Sequence, residues 1–144
     1  MSFAVDSNIL IYASNEASPY QHAASEFLNQ AMGGPEILFV CWQVISAYLR
    51  IATHAAVFPR PLTPETAMAN IDSLFASPHV RVLQEDEGFW ETYKSVAHVV
   101  VARGATVPDV HLAALLRHNG IRVLYTNDSD FRKFDFLEVR NPFR

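Results

Sequence analysis

The 144-residue chain is 50% hydrophobic, 12% aromatic and 18% charged. That is too rich in large apolar side chains for a disordered segment, and the length suits one compact domain over residues 1–144. Eleven Lys and Arg against fifteen Asp and Glu leave a net charge of −4, which excludes a strongly basic duplex-wrapping surface, so any nucleic-acid partner must be engaged locally. The single cysteine, Cys41, excludes an intrachain disulfide and a cysteine-based zinc cluster.

The opening residues meet Asp6 before an apolar segment of signal-peptide length can form, and no apolar run is long enough to span a bilayer. The expected setting is cytoplasmic, with no membrane partner. Phe3-Ala4-Val5 predicts a short buried strand, and a short helix over Ile9, Leu10 and Tyr12 follows it. A second helix, from about Pro19 to Met32, carries Ala23, Phe27, Leu28 and Ala31 on one stripe. Ile37 to Val40 predicts the second strand, and Trp42 to His54 a helix that is apolar almost all round. Thr63 can cap the next helix, with Pro64 at its first position and Glu65 in its first turn, running to about Ala76.

Val80 to Leu83 predicts the third strand. The acidic Glu85-Asp86-Glu87 then suits the positive end of a helix carrying Phe89, Tyr93, Val96 and Val100, which ends near Gly104. Pro108-Asp109 predicts the start of another helix and Asn119-Gly120 its stop. Arg122 to Tyr125 and, more weakly, Phe136 to Val139 complete the strands. Buried strands alternating with helices predict an α/β fold: a mainly parallel sheet of four or five strands with helices on both faces.

Ligands of open parallel sheets bind beyond the carboxyl ends of the strands, which directs attention to the residues there. Asp6 follows the first strand, Asp128 and Asp130 follow the fourth, and Asp109 opens a helix. Each could simply cap a helix. Gathered at one sheet edge, they would repel one another and hold raised pKa values unless a cation neutralised them. Oxygen donors of this kind point to Mg²⁺ or Mn²⁺.

The same residues carry a family resemblance. Ala4-Val5-Asp6-Ser7-Asn8, then Pro108-Asp109-x-x-Leu112-Ala113-Ala114, then Thr126-x-Asp128-x-Asp130-Phe131 and a closing Val139-Arg140-Asn141-Pro142 stand in the order seen in PIN domains. More narrowly, the chain resembles the toxin ribonuclease of bacterial VapBC toxin–antitoxin systems. The resemblance implies a PIN-like three-layer sandwich and a metal-dependent endoribonuclease that hydrolyses RNA phosphodiesters. It matches Asp6, Asp109 and Asp128 to catalytic metal-binding acids and Asp130 to a further metal-binding acid. Asn8 and Thr126 match polar residues that support those carboxylates. The implied partners are an RNA substrate, a VapB-like antitoxin and a second copy of the chain as a homodimer.

One position departs from the pattern. Family members usually carry a Glu three residues before an Arg in the helix after the second strand, and here Ser46-Ala47-Tyr48-Leu49-Arg50 places Ala47 there. Two consequences stay open: a reduced ligand set completed by water, or a catalytically impaired module that binds RNA or protein. A phosphatase with Asp6 as nucleophile is disfavoured, because its second aspartate would fall at Asn8.

Setting aside the four candidate acids leaves eleven acids against eleven bases, so the acidic excess can lie wholly in the site. Arg132 and Lys133, next to the last acid motif, are the candidate RNA contacts. The histidines show no paired ligand spacing and receive no role; His111, two residues after Asp109, should point to a different helix face. Tyr12, Trp42, Phe89, Trp90 and Tyr93 are expected in the core.

Overall fold

The computed structural model describes residues 1–144. Short apolar runs form strands β1 (Ser2–Val5), β2 (Ile37–Cys41), β3 (Val80–Leu83), β4 (Val123–Tyr125) and β5 (Glu138–Arg140). They pair in parallel in the order β3-β2-β1-β4-β5, with Ala4 in register with Phe39 on one side and Leu124 on the other. β1 is therefore central, and its Phe3, Ala4 and Val5 are all buried, as a parallel sheet covered on both faces requires.

The helices are α1 (Ser7–Ser14), α2 (Gln21–Met32), α3 (Trp42–Ala52), α4 (Pro64–Phe75), α5 (Phe89–Val99) and α6 (Thr106–His118). From β1 through β2 to β3 the crossovers step in one direction; from β3 to β4 the chain returns across the sheet. Right-handed crossovers then place α1–α4 on one face and α5–α6 on the other. The packing divides accordingly, with α1 on α2 and α3, α3 on α4, and α5 on α6. This is the α/β three-layer arrangement expected from the sequence. The direction change makes β1 and β4 neighbours with a crevice beyond their carboxyl ends.

Several local signals act as expected. The Thr63 hydroxyl accepts the Thr66 N–H at 3.1 Å at the start of α4. At the end of α6, Gly120 has φ +72°; the Ile121 N–H donates to the Leu116 carbonyl at 2.9 Å and the Gly120 N–H to that of Arg117 at 3.1 Å. Those two bonds close the helix through a left-handed residue that only glycine adopts without strain.

Other boundaries differ from expectation for physical reasons. Glu85-Asp86-Glu87 does not open α5, whose cap is Gly88 at φ +87°. Instead Glu85 and Asp86 reach across to His111 and His118 of α6. α6 starts at Thr106, two residues before Pro108, which is tolerated because the first four N–H groups of a helix have no partner within it. α2 begins at Gln21 rather than Pro19, and α3 stops at Ala52 rather than His54, with the Thr53 hydroxyl donating back to the Leu49 carbonyl. β5 lies at Glu138–Arg140 rather than Phe136–Val139, since Phe136 packs its ring against the core while the Glu138 N–H joins the Arg122 carbonyl. Trp42 and Trp90 are not core residues, being 53% and 63% exposed.

Between β4 and β5, a 3-10 turn over Ser129–Lys133 is anchored by Phe131, whose buried ring meets Phe134 at 6.0 Å. Truncation of Phe131 to Ala should destabilise the chain by about 3–5 kcal/mol, read from the urea midpoint. A loss well under 1 kcal/mol would mean that the turn is not held by this ring.

Candidate active site

Asp6 stands where β1 ends and α1 begins, its own N–H donating to the Tyr125 carbonyl of β4. Its Oδ1 accepts the Ser7 N–H at 2.7 Å, and its Oδ2 accepts the Thr126 hydroxyl at 2.9 Å and the Asn8 amide at 3.4 Å. Capping is thus real, but a carboxylate has roughly four acceptor sites, and three bonds leave one for another donor or a cation.

Thr126, 1% exposed and the sole buried polar residue, ties the two strand ends together. Its hydroxyl donates to Asp6 and accepts both the Asn8 Nδ2–H at 2.9 Å and the Asp128 N–H at 3.0 Å. One donor and two lone pairs are the full capacity of a hydroxyl, and all are used. Asn8 completes the link by accepting the Asn127 N–H at 3.2 Å through its Oδ1. Asp128 caps the 3-10 turn, its Oδ1 accepting the Asp130 N–H at 2.9 Å.

Asp109 enters from the first turn of α6, and the Nζ of Lys133 lies 3.6 Å from its Oδ2. Asp6, Asp109 and Asp128 all line one cavity of about 510 Å³, with Asn8, Gln43, Ala47 and His111 also in its wall. The carboxylates share this space without any three acidic, imidazole or thiol groups being drawn tightly round one point.

The electrostatics record the crowding. Burial pushes the Asp6 pKa above the usual aspartate value, the Ser7 N–H and Thr126 hydroxyl pull it back, and the Asp109 and Asp128 charges push it up again. Burial likewise raises Asp109; Lys133 opposes this, while the Asp128 and Asp130 charges add to it. The Lys133 ammonium offsets only one of the three carboxylates, Asp109. Hard oxygen donors with unused lone pairs and an uncompensated negative charge fit a Mg²⁺- or Mn²⁺-sized divalent cation.

Three features of the site depart from the sequence expectations. Lys133, expected to contact RNA, lies instead beside Asp109 of α6, because the 3-10 turn folds it back towards that helix. His111 shares the cavity with Asp109 despite the two-residue spacing, because the cavity wraps round the amino end of α6; its Nε2 also meets the Glu85 Oε2 at 2.6 Å. Gln43 has no counterpart among the expected residues. Asp130 is exposed and outside the cavity wall, acting on Asp109 only through its charge, and Arg132 is exposed beside it. The buried Cys41 thiol is pushed up to about 11, chiefly by burial, and takes no part in the cavity.

Replacing Thr126 by Val keeps the shape and removes all three hydroxyl bonds. It should lower stability by about 1–3 kcal/mol and Mn²⁺ affinity by about 10–100-fold, whereas Ser should retain both; denaturation and calorimetry would show it, and a Val variant with native affinity would contradict the bridging role. The raised pKa values of Asp6 and Asp109 also set a sign. Their ionised forms oppose folding at neutral pH, and that penalty is relieved as pH falls through the raised values. A cation held by these carboxylates would meet proton competition early: Mn²⁺ affinity should begin to fall above the ordinary aspartate range, and an onset only within that range would count against the coupling.

Comparison with known proteins agrees with this architecture. The PIN domain family profile matches residues 3–137. The chain is 41% identical to Ribonuclease VapC48 of Mycobacterium tuberculosis over 143 residues, covering 99% of each. It is 31% identical to Ribonuclease VapC37 of the same species over 139 residues, covering 96% of this chain and 95% of the relative. Among solved structures, VapBC-1 from nontypeable Haemophilus influenzae superposes with a TM-score of 0.70 at 18% identity over 100% of both chains. The sarcin-ricin loop cleaving toxin VapC20 of Mycobacterium tuberculosis does so at 0.69 and 19% identity, over 96% of this chain and 98% of that one. With its acid-lined crevice at the β1/β4 switch point and relatives along its whole length, the chain belongs to the PIN-domain family, among the VapC-type ribonucleases.

Proposed function

We propose that the chain is the toxin of a type II toxin–antitoxin pair, a Mg²⁺- or Mn²⁺-dependent endoribonuclease that hydrolyses RNA phosphodiesters. The observation that carries this reading is the meeting of Asp6, Asp109 and Asp128, from three distant segments, in one cavity of a PIN-family fold. These three acids hold the cation, with Asp130 adding negative potential from the neighbouring turn. When bound, such a cation lowers the pKa of a water and stabilises the charge that builds on phosphorus.

The remaining work falls to side chains of the protein. Ser7, Thr126 and Asn8 fix the Asp6 carboxylate so that it needs little reorganisation on binding. Lys133, whose ammonium lies 3.6 Å from Asp109 at the edge of the cavity, is the cation placed to meet a phosphate oxygen of the RNA. Arg132 presents a planar fork beside it for the same backbone.

Two protein partners belong to this reading: a VapB-like antitoxin and a second copy of the chain. Trp90, Val99 and Val101, exposed by 63, 77 and 72%, form apolar surface on and just beyond α5 of the kind that protein partners cover. The setting is cytoplasmic, in keeping with Cys41 as a free thiol. No helix is long and apolar enough to cross a membrane.

A mixed RNA pool incubated with Mg²⁺, Mn²⁺ or chelator tests the activity. The wild type should cleave only with metal, and Asp6→Asn and Asp109→Asn should each lose about a hundredfold or more of the rate. Cleavage that survives chelator and is equal in all three proteins would overturn the proposal.

A further inference from the structure

Asp128 is the least directly held of the three cavity acids. Asp6 accepts three hydrogen bonds and Asp109 has Lys133 beside it, whereas the Asp128 carboxylate accepts one, from the Asp130 N–H of the turn that it caps. Its direction is therefore set by the backbone that leaves β4. That backbone is pinned at each residue: the Thr126 N–H donates to the Arg140 carbonyl at 2.9 Å, the Asn127 N–H to Asn8 Oδ1 at 3.2 Å, and the Asp128 N–H to the Thr126 hydroxyl at 3.0 Å. Asn127, in the middle, takes no part in the cavity wall.

The Asn127 side-chain amide is held at both ends. Its Oδ1 accepts the Asn141 Nδ2–H at 2.7 Å, and its Nδ2 donates to the Tyr12 hydroxyl at 3.2 Å. Neither partner is free to turn away. Asn141 uses its own Oδ1 to accept the Phe143 N–H at 2.9 Å, which fixes the nitrogen as the end that faces Asn127. Tyr12 packs its ring against Tyr20 at 5.2 Å and Phe143 at 5.5 Å, and Phe143 stacks on Tyr20 at 4.7 Å. Fixing the Asn127 side chain at both ends restricts rotation about its own Cα, and the peptide that leaves that Cα carries Asp128. We propose that Asn127 is a positioning residue for Asp128, with Asn141 and Tyr12 as its two tethers, and that it orients the carboxylate for a cation in the crevice. This rests on the reading of the cavity as a cation site.

Mn²⁺ binding to the full chain, followed by calorimetry well below the metal-free thermal midpoint of each variant, tests the role without reference to cleavage. Asn127→Ala should weaken Mn²⁺ binding by about tenfold or more. Asn141→Ser and Tyr12→Phe, which each remove one tether, should weaken it by about threefold. A purely structural role would lower the midpoint and leave the affinity of the folded protein unchanged, and that result would overturn the assignment. In an Asn127→Ala background the two tether substitutions should cost no further affinity; additive losses would show that the tethers do not act through Asn127 and would equally overturn it. Should Asn127→Ala not fold, the tether variants decide, since Tyr12→Phe keeps the ring packing and Asn141→Ser keeps an oxygen for the Phe143 N–H. Weaker binding in both supports the role, and native affinity in either overturns it. Asp128→Asn run alongside keeps the two readings distinct. If it loses Mn²⁺ while folded Asn127→Ala does not, the positioning role fails and the cation site stands; if the wild type binds no Mn²⁺, both fail.

Discussion

Three carboxylates that line one crevice repel one another, and most of what surrounds Asp6, Asp109 and Asp128 can be understood as the means of keeping them there. Asp6 is anchored by a backbone N–H, a hydroxyl and an amide, Asp128 by the turn that it caps, and Asp109 by Lys133. The raised pKa values of Asp6 and Asp109 are the residue of repulsion and burial that these contacts leave uncompensated. A protein that selected only for stability would not gather such groups, which is why strained charge is informative about chemistry.

The fold supplies the positions. Because the chain returns across the sheet after β3, β4 lands beside β1, and residues 120 apart in sequence become hydrogen-bonded neighbours at Asp6 and Thr126. Helix α6 then arrives with its amino end at the same edge, so Asp109 faces two strand ends rather than solvent alone. The Thr126 hydroxyl couples the two loops that leave β1 and β4, and displacement of either loop must be felt by the other. Lys133 serves as an internal counter-ion, on a short turn whose seat is the buried Phe131 ring.

How much of this was legible in the sequence depended on the range of the interaction. The strands were legible because buried parallel strands are uninterrupted apolar runs, and the end of α6 because Asn119-Gly120 is a local stop signal. Asp6 and Asp128 were legible because they follow strands, and Asp109 because it opens a helix, so topology alone directs them to one edge. Contacts made across the fold were not legible. The acids Glu85 and Asp86 look like a helix start but pair with His111 and His118, partners 26 and 32 residues away. Lys133 and Gln43 reach the crevice through a 3-10 turn and a helix register that periodicity does not resolve. Trp42 and Trp90 lie on the surface because an apolar pattern indicates a buried face without saying whether this chain or another covers it.

The most direct measurement of the central claim is anomalous diffraction from crystals of the chain soaked in Mn²⁺. The account predicts a dominant peak inside the crevice bounded by Asp6, Asp109 and Asp128, with the Lys133 ammonium moved away from Asp109. A crevice without a peak, or Mn²⁺ bound only at the surface acids of the β3–α5 loop, would contradict it.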